Sequence, residues 1–86
     1  MRAYFHRNFD SAYQKLSRRI RAHCKERIHL FLTDEFHPLL GNHALRGTYS
    51  GCRSINITGD YRAIYRRIDS TSVLFITIGT HGQLYR

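Results

Sequence analysis

The fold is decided by residues 61–78, which read YRAIYRRIDSTSVLFITI. Two runs in this stretch, residues 61–68 and 73–78, are rich in the β-branched and aromatic residues that strands favour. The polar segment between them, residues 69–72, is typical of a turn. The second run is almost entirely apolar, as in a strand that is covered on both faces. The stretch therefore predicts two neighbouring antiparallel strands.

The same pattern continues on both sides of this stretch. In residues 52–57, Ile55 and Ile57 alternate with Ser54 and Asn56, which predicts another strand. Residues 58–60 predict the turn that joins it to the next strand. At the other end, Gly79 should end the last long strand, and residues 83–86 predict a short edge strand.

The N-terminal half has helical periodicity instead. Phe9, Tyr13 and Leu16 recur at helical spacing, and Ser17 is a suitable N-cap for a second helix. That helix should span residues 18–33, with a basic face towards solvent and an apolar stripe formed by Ile20, Cys24, Ile28, Phe31 and Leu32.

Together these elements predict an α+β fold. Residues 1–5 predict a first strand, and Pro38 and Gly41 mark a loop between the helical and β-rich halves. We expect two N-terminal helices packed on a four- to five-stranded, mainly antiparallel sheet. With 86 residues, the chain should form a single domain over residues 1–86.

The charge of the chain limits its partners. Fourteen Lys and Arg residues against six Asp and Glu give a formal net charge of +8. Such an excess predicts a polyanionic partner: nucleic acid, an acidic protein or an anionic membrane surface. No apolar run approaches the roughly 18 residues of a membrane span, and residues 1–10 contain no apolar secretion segment. We therefore expect a cytoplasmic protein without a membrane partner, in which Cys24 and Cys52 are free thiols.

The β-rich half also contains the residues suited to RNA cleavage. His43, Asp60 and His81 are placed at strand ends and turns and could transfer protons. Arg53 could hold phosphate oxygens, and Tyr85 could stack on an unpaired base. The side chains form a catalytic set only if the fold brings them together.

Each of these residues also has a plain structural interpretation. A lone histidine is commonly a surface or capping residue, and an aspartate such as Asp60 is common in turns. Arg62 and Arg66 share a strand face and could simply solvate it. His37 and His43 are six residues apart without a further ligand pattern, so we expect neither a metal site nor a cofactor.

Three segments resemble the motifs of RelE/YafQ-type toxins of bacterial type II toxin–antitoxin systems. Residues 43–53, HALRGTYSGCR, resemble the motif H-x-L-x-G-x-[WY]-x-G-x-R. Residues 60–65, DYRAIY, are similar to D-[WY]-x-x-x-Y, and residues 75–85, FITIGTHGQLY, to F-x-x-x-G-[TS]-H-x-x-L-[FY]. The three blocks occur in the family's order and lie within residues 43–85, which make up half of the chain.

The resemblance implies a RelE-like fold and an endoribonuclease that cuts messenger RNA in the ribosomal A site. It also implies attack by the 2′-hydroxyl without a metal ion, a 2′,3′-cyclic phosphate product and a cognate antitoxin. His43, Asp60 and His81 match the family's proton-transfer residues, Tyr85 its terminal aromatic residue and Arg53 its phosphate-contacting arginine. Further candidates for RNA contact are Arg46, Asn56, Tyr61, Arg62 and Arg66.

Two positions depart from the family pattern. YafQ-like members often have a histidine where this chain has Asn56 and an aspartate where it has Ser54. An amide cannot act as a general acid or base at neutral pH, so cleavage should be weaker or should rest on His81 and Asp60 alone. Three alternatives stay open: a toxin that inhibits DNA gyrase, like the ParE relatives; a basic RNA- or DNA-binding module without catalysis; and a basic helix bound at a membrane surface.

Overall fold

The computed structural model describes residues 1–85. Two helices lie between a first strand and a run of four strands, and a short helix follows, which confirms the predicted α+β layout. The elements are β1 (Arg2–Phe5), α1 (Arg7–Gln14), α2 (Arg18–Thr33), a 3₁₀ turn (Pro38–Leu40), β2 (His43–Ala44), a second 3₁₀ turn (Gly47–Tyr49), β3 (Arg53–Asn56), β4 (Tyr61–Asp69), β5 (Ser72–Thr80) and α3 (His81–Leu84).

The strands form one five-stranded sheet in the order β1-β5-β4-β3-β2. Strands β3, β4 and β5 pair antiparallel with their sequence neighbours, as predicted. Strand β2, which the sequence did not predict, pairs antiparallel with β3. Strand β1 pairs parallel with β5, with Arg2 opposite Ser72. The sheet is therefore mainly antiparallel with one parallel pair at its edge.

Helix α2 has the predicted bounds. The Ser17 hydroxyl caps it by accepting a hydrogen bond from the Ile20 N–H at 3.3 Å. The buried residues of this helix are Ile20, Cys24 and Phe31. The Phe31 ring meets Tyr65 of β4 edge-on, with ring centroids 4.7 Å apart, and meets Phe75 of β5 at 5.3 Å. These contacts join α2 to β4 and β5.

The core lies between the two long helices and one face of the sheet. Beside the aromatic residues it contains Leu40, Ile55, Ile57, Ala63, Val73 and Ile78. On the other face, Ser54 and Ile64 are fully buried and Leu74 is partly buried. No residue of β5 is exposed, as expected of a strand covered on both faces, but the long helices pack on only one of these faces. That leaves the other face available for a site.

The predicted edge strand at residues 83–86 is also wrong. Strand β5 continues through Gly79 to Thr80, and a single helical turn, α3, follows it. The Thr80 hydroxyl accepts from the Gln83 N–H at 3.2 Å, and the Gln83 side chain accepts from the Thr80 N–H at 2.8 Å. This capping box begins a helix in place of a strand. Position 86 lies outside the described residues.

Among residues 1–85, every helix is too short or too polar to cross a membrane.

Candidate functional site

The centre of the site is the guanidinium group of Arg62. Strands β3 and β4 place Asn56 opposite Arg62 and Ser54 opposite Ile64, so these side chains share the face that the long helices leave open. Arg62 Nε donates to the Ser54 hydroxyl, and Nη1 donates to Asn56 Oδ1. Nη2 donates to the Gly41 carbonyl at 3.0 Å. One planar group thus joins two strands to the segment that leads into β2.

His43 lies at one end of this group. Its Nδ1 is 3.1 Å from the Gly41 carbonyl and 3.2 Å from Arg62 Nη2. When Nδ1 carries the proton, it donates to Gly41 and leaves the lone pair of Nε2 free. When Nε2 carries the proton, Nδ1 accepts from Arg62. The imidazole is exposed, so a substrate can reach it.

His81 lies at the other end. The Tyr85 hydroxyl donates to the Ser54 hydroxyl at 3.2 Å, and the Tyr85 and His81 rings are 4.7 Å apart. Because Ser54 also accepts from Arg62, an unbroken series of contacts runs from His43 through Arg62, Ser54 and Tyr85 to His81. The two histidines, 38 positions apart in the sequence (81 − 43), therefore belong to one surface.

Asp60 lies at the border of this surface. The Thr58 hydroxyl accepts from the N–H groups of Asp60 and Tyr61 at 3.3 and 3.2 Å and so fixes the turn. The Asp60 carbonyl accepts from the His81 N–H at 3.3 Å. The Asp60 residue is exposed. The backbone thus holds Asp60 beside His81, with its side chain open to solvent.

Two further arginines flank the site. Arg46 lines a pocket of about 190 Å³ together with Tyr49, Leu84 and Tyr85, so it lies next to the Tyr85 end. Arg66 is exposed, and strand alternation places it on the same face of β4 as Arg62. Both could contact the phosphates of a bound strand.

Two of the candidate residues lie away from this surface. Arg53 pairs with Tyr65 and therefore faces the helix side, where its Nε donates to Asn42 Oδ1 at 2.7 Å. Its guanidinium lies 5.3 Å from the centre of the Phe36 ring. Tyr61 is half-buried against the core. The structure therefore separates Arg53 and Tyr61 from the other eight candidates, because neighbouring residues on a strand point to opposite faces.

The arrangement can perform acid–base chemistry beside a polyanion. It combines two exposed imidazoles, an exposed carboxylate and the fixed guanidinium group of Arg62, which are the groups that phosphodiester cleavage by proton transfer requires. Within residues 1–85, no three His, Cys, Asp or Glu side chains are placed to hold a metal ion.

One central group of the site, the Gly41 carbonyl, was not predicted from the sequence. Gly41 ends the 3₁₀ turn at Pro38–Leu40 with φ +50°. Proline at the start of a turn and glycine after its end are a recognised pair of signals. They predicted a loop correctly but did not indicate which side chains its carbonyl would meet.

The family model described as "Bacterial toxin of type II toxin-antitoxin system, YafQ" matches residues 1–86. No curated protein matches the sequence.

Solved structures share the fold. YafQ from E. coli strain BL21(DE3) superposes with a TM-score of 0.82 at 18% identity, over 100% of both chains. YafQ in the E. coli DinJ–YafQ toxin–antitoxin complex gives 0.74 at 19% identity, over 98% of this chain and 96% of the other. The Mycobacterium tuberculosis toxin–antitoxin complex RelBE2 gives 0.75 at 26% identity, over 93% and 96%.

Proposed function

This chain belongs to the YafQ family of bacterial type II toxin–antitoxin toxins, and from that membership we propose that it is an endoribonuclease that cuts messenger RNA on the ribosome. The observation that carries the proposal is the series of contacts that joins His43 and His81 through Arg62, Ser54 and Tyr85. It provides proton-transfer groups on both sides of a cation, as cleavage of a phosphodiester needs.

The proposed reaction begins with the 2′-hydroxyl of the RNA. One imidazole takes its proton while the 2′-oxygen forms a bond to phosphorus. The bond from phosphorus to the 5′-oxygen breaks, and the other imidazole gives that oxygen a proton. The products are a 2′,3′-cyclic phosphate and a free 5′-hydroxyl. Asp60 adjoins the His81 end and could assist proton transfer there.

Arg62 has a second role in this proposal. It would exchange its hydrogen bonds with Ser54 and Asn56 for the oxygens of the scissile phosphate and stabilise the charge that develops there. The freed Ser54 and Asn56 groups could then bond to the RNA. Arg62 would thereby supply charge stabilisation at a site where Ser54 and Asn56, unlike the residues that YafQ-like members often have there, do not transfer protons.

We also propose a cognate antitoxin as the protein partner. Two of the neighbours, E. coli DinJ–YafQ and M. tuberculosis RelBE2, were solved as toxin–antitoxin complexes. The formal net charge of +8 favours an acidic chain.

The decisive experiment is to map the 5′ ends of messenger RNA in cells after the protein is induced. We expect cuts within translated codons that disappear when translation is blocked. His81→Ala and His43→Ala should each reduce cleavage by about 10²–10⁴-fold, because each removes a proton-transfer group. His29→Ala, an exposed histidine of α2, is the matched control and should cleave normally.

Two results would contradict the proposal. Undiminished cutting by both His43→Ala and His81→Ala would exclude the proposed chemistry. Intact messenger RNA in growth-arrested cells, together with inhibited DNA gyrase, would instead identify a toxin that acts like ParE.

A further inference from the structure

A second polar cluster lies on the helix side of the sheet, next to β2. The Asn42 amide makes three hydrogen bonds there. Nδ2 donates to the Tyr65 hydroxyl at 2.8 Å and to the Glu35 carbonyl at 3.1 Å, and Oδ1 accepts from Arg53 Nε at 2.7 Å. Both ends of a short side chain are thus held in one orientation.

The partners of Asn42 are themselves fixed. The Tyr65 hydroxyl donates to Glu35 Oε2 at 2.7 Å, and the Glu35 carboxylate pairs with Arg67. Burial alone would raise the pKa of Glu35, but hydrogen bonds from Tyr65 and Arg67 outweigh it and lower the pKa below its ordinary value. The carboxylate is therefore ionised at neutral pH. Tyr65 is almost fully buried, so its hydroxyl has little freedom to move.

The residues on either side of Asn42 belong to the candidate site. The Gly41 carbonyl accepts a hydrogen bond from Arg62. The Nδ1 atom of His43 contacts both this carbonyl and Arg62 Nη2. The segment of residues 41–43 thus crosses the edge of the sheet, with Asn42 on the helix side and its neighbours on the open side. Strand β2, at His43–Ala44, has only two residues, so its own backbone pairing holds it weakly.

We propose that Asn42 is a positioning residue, which holds the His43 imidazole and the Gly41 carbonyl in register with Arg62. Its amide, fastened to Tyr65, Glu35 and Arg53, prevents the short β2 segment from rotating about the sheet edge. The catalytic part of this inference rests on the proposed ribonuclease function; the geometric part does not.

The test of the geometric part is an NMR measurement on the free protein, and the test of the catalytic part is a cleavage measurement on ribosomes. Asn42→Ala removes all three hydrogen bonds. Tyr65→Phe removes one hydroxyl and keeps the ring, so it gives an answer even if Asn42→Ala fails to fold. Tyr13→Phe is the control, because it removes the hydroxyl of a half-buried tyrosine on α1 and also keeps the ring.

The first readout is the ¹H–¹⁵N NMR signal of each imidazole in the free protein. We expect Asn42→Ala and Tyr65→Phe to shift and broaden the His43 signals and to leave those of His81 in place. Tyr13→Phe should change neither. If Asn42 had only a structural role, the substitution would lower stability without changing the His43 signals more than those of His81. Unchanged His43 signals in both variants would overturn the inference.

The second readout is cleavage on programmed ribosomes. We expect kcat to fall by up to about 10²-fold in Asn42→Ala with KM nearly unchanged, since a small misplacement of a reacting group costs that much in rate. A rise in KM at constant kcat would overturn the positioning role. If the wild-type protein cuts nothing on ribosomes, the proposed function fails, and the NMR result alone decides the geometric inference.

Discussion

Gly41 shows how a residue without a side chain holds the candidate site together. Its backbone has φ +50°, in the left-handed region that favours glycine. A Cβ atom at this position would lie 2.6 Å from Asn56 Nδ2. The absence of a side chain therefore lets the carbonyl of Gly41 come close to Arg62 while Asn56 keeps its place.

We expect Gly41→Ala to lower both stability and cleavage. The left-handed backbone should cost about 1–2 kcal/mol of unfolding free energy, and the displaced Asn56 should reduce cleavage by about tenfold or more. Urea unfolding and a ribosome cleavage assay measure the two effects. Gly51→Ala is the control, because Gly51 has φ +89° and a Cβ atom added there would meet nothing within 4 Å. Equal cleavage by the two variants would argue against the close approach at Gly41.

The residue types in the site were predictable, but their directions were not. His43, Asp60 and His81 were identified from residue type and motif, and the structure brings them to one surface. Arg53 was identified in the same way and points to the helix side. Its position at the first residue of β3 fixes that direction through pairing with Tyr65, and the register of a pair is a property of two distant segments.

At the scale of the element, α3 is a single helical turn that positions two candidate residues. His81 begins it and Tyr85 follows it, so the capping box at Thr80 and Gln83 sets the spacing of their rings. A single turn has few backbone hydrogen bonds of its own, and the cap therefore contributes much of its order.

We expect Thr80→Ala to reduce cleavage by more than its loss of folding stability alone would explain. Loss of an N-cap costs about 0.5–2 kcal/mol. Ser17→Ala removes the cap of α2, which lies on the helix side, and should cost a similar amount without changing cleavage. Thermal unfolding and the cleavage assay distinguish the two variants. A parallel loss of activity in both would mean that the capping box has no specific role in the site.

Elements with strong local signals were predicted well. Helix α2 has an N-cap and an apolar stripe within its own sequence, and the hairpin of β4 and β5 has a polar turn between two β-rich runs. Helix α3 was missed because four residues carry little periodicity and Leu84 and Tyr85 suit a strand equally well. The parallel pairing of β1 with β5 leaves no local signal at all.

At the scale of the whole molecule, the core contains two groups that resist ionisation. Burial raises the pKa of the Cys24 thiol from 9.0 to about 12. Burial, followed by the hydrogen bond to Glu35, raises the pKa of Tyr65 from 10.0 to about 12. In the folded state each group keeps its proton at pH values at which the unfolded chain has lost it. The stability that these groups contribute is therefore complete below the unfolded-chain pKa values and is lost as the pH rises above them.

We therefore expect the protein to lose stability as the pH rises from about 9 towards 12. Over this range the unfolded chain releases protons that the folded chain retains, which costs at most about 1.4 kcal/mol per pH unit for each group. Cys24→Ala should make the decline shallower. Urea unfolding at several pH values measures how the free energy of unfolding changes with pH. The packing lost in the variant lowers this free energy equally at every pH, so it does not affect the slope that is compared. Identical slopes would show that the thiol titrates normally in the fold.

The parallel pair at the edge of the sheet has a consequence for synthesis. Arg2 pairs with Ser72, which the ribosome adds 70 positions later. During translation the first strand must wait, unpaired, while both long helices and the hairpin strands are made. The growing polypeptide therefore cannot complete its sheet until β5 has emerged, and His81 emerges later still. The candidate site is therefore complete only after residues 81–85 have been added to the chain.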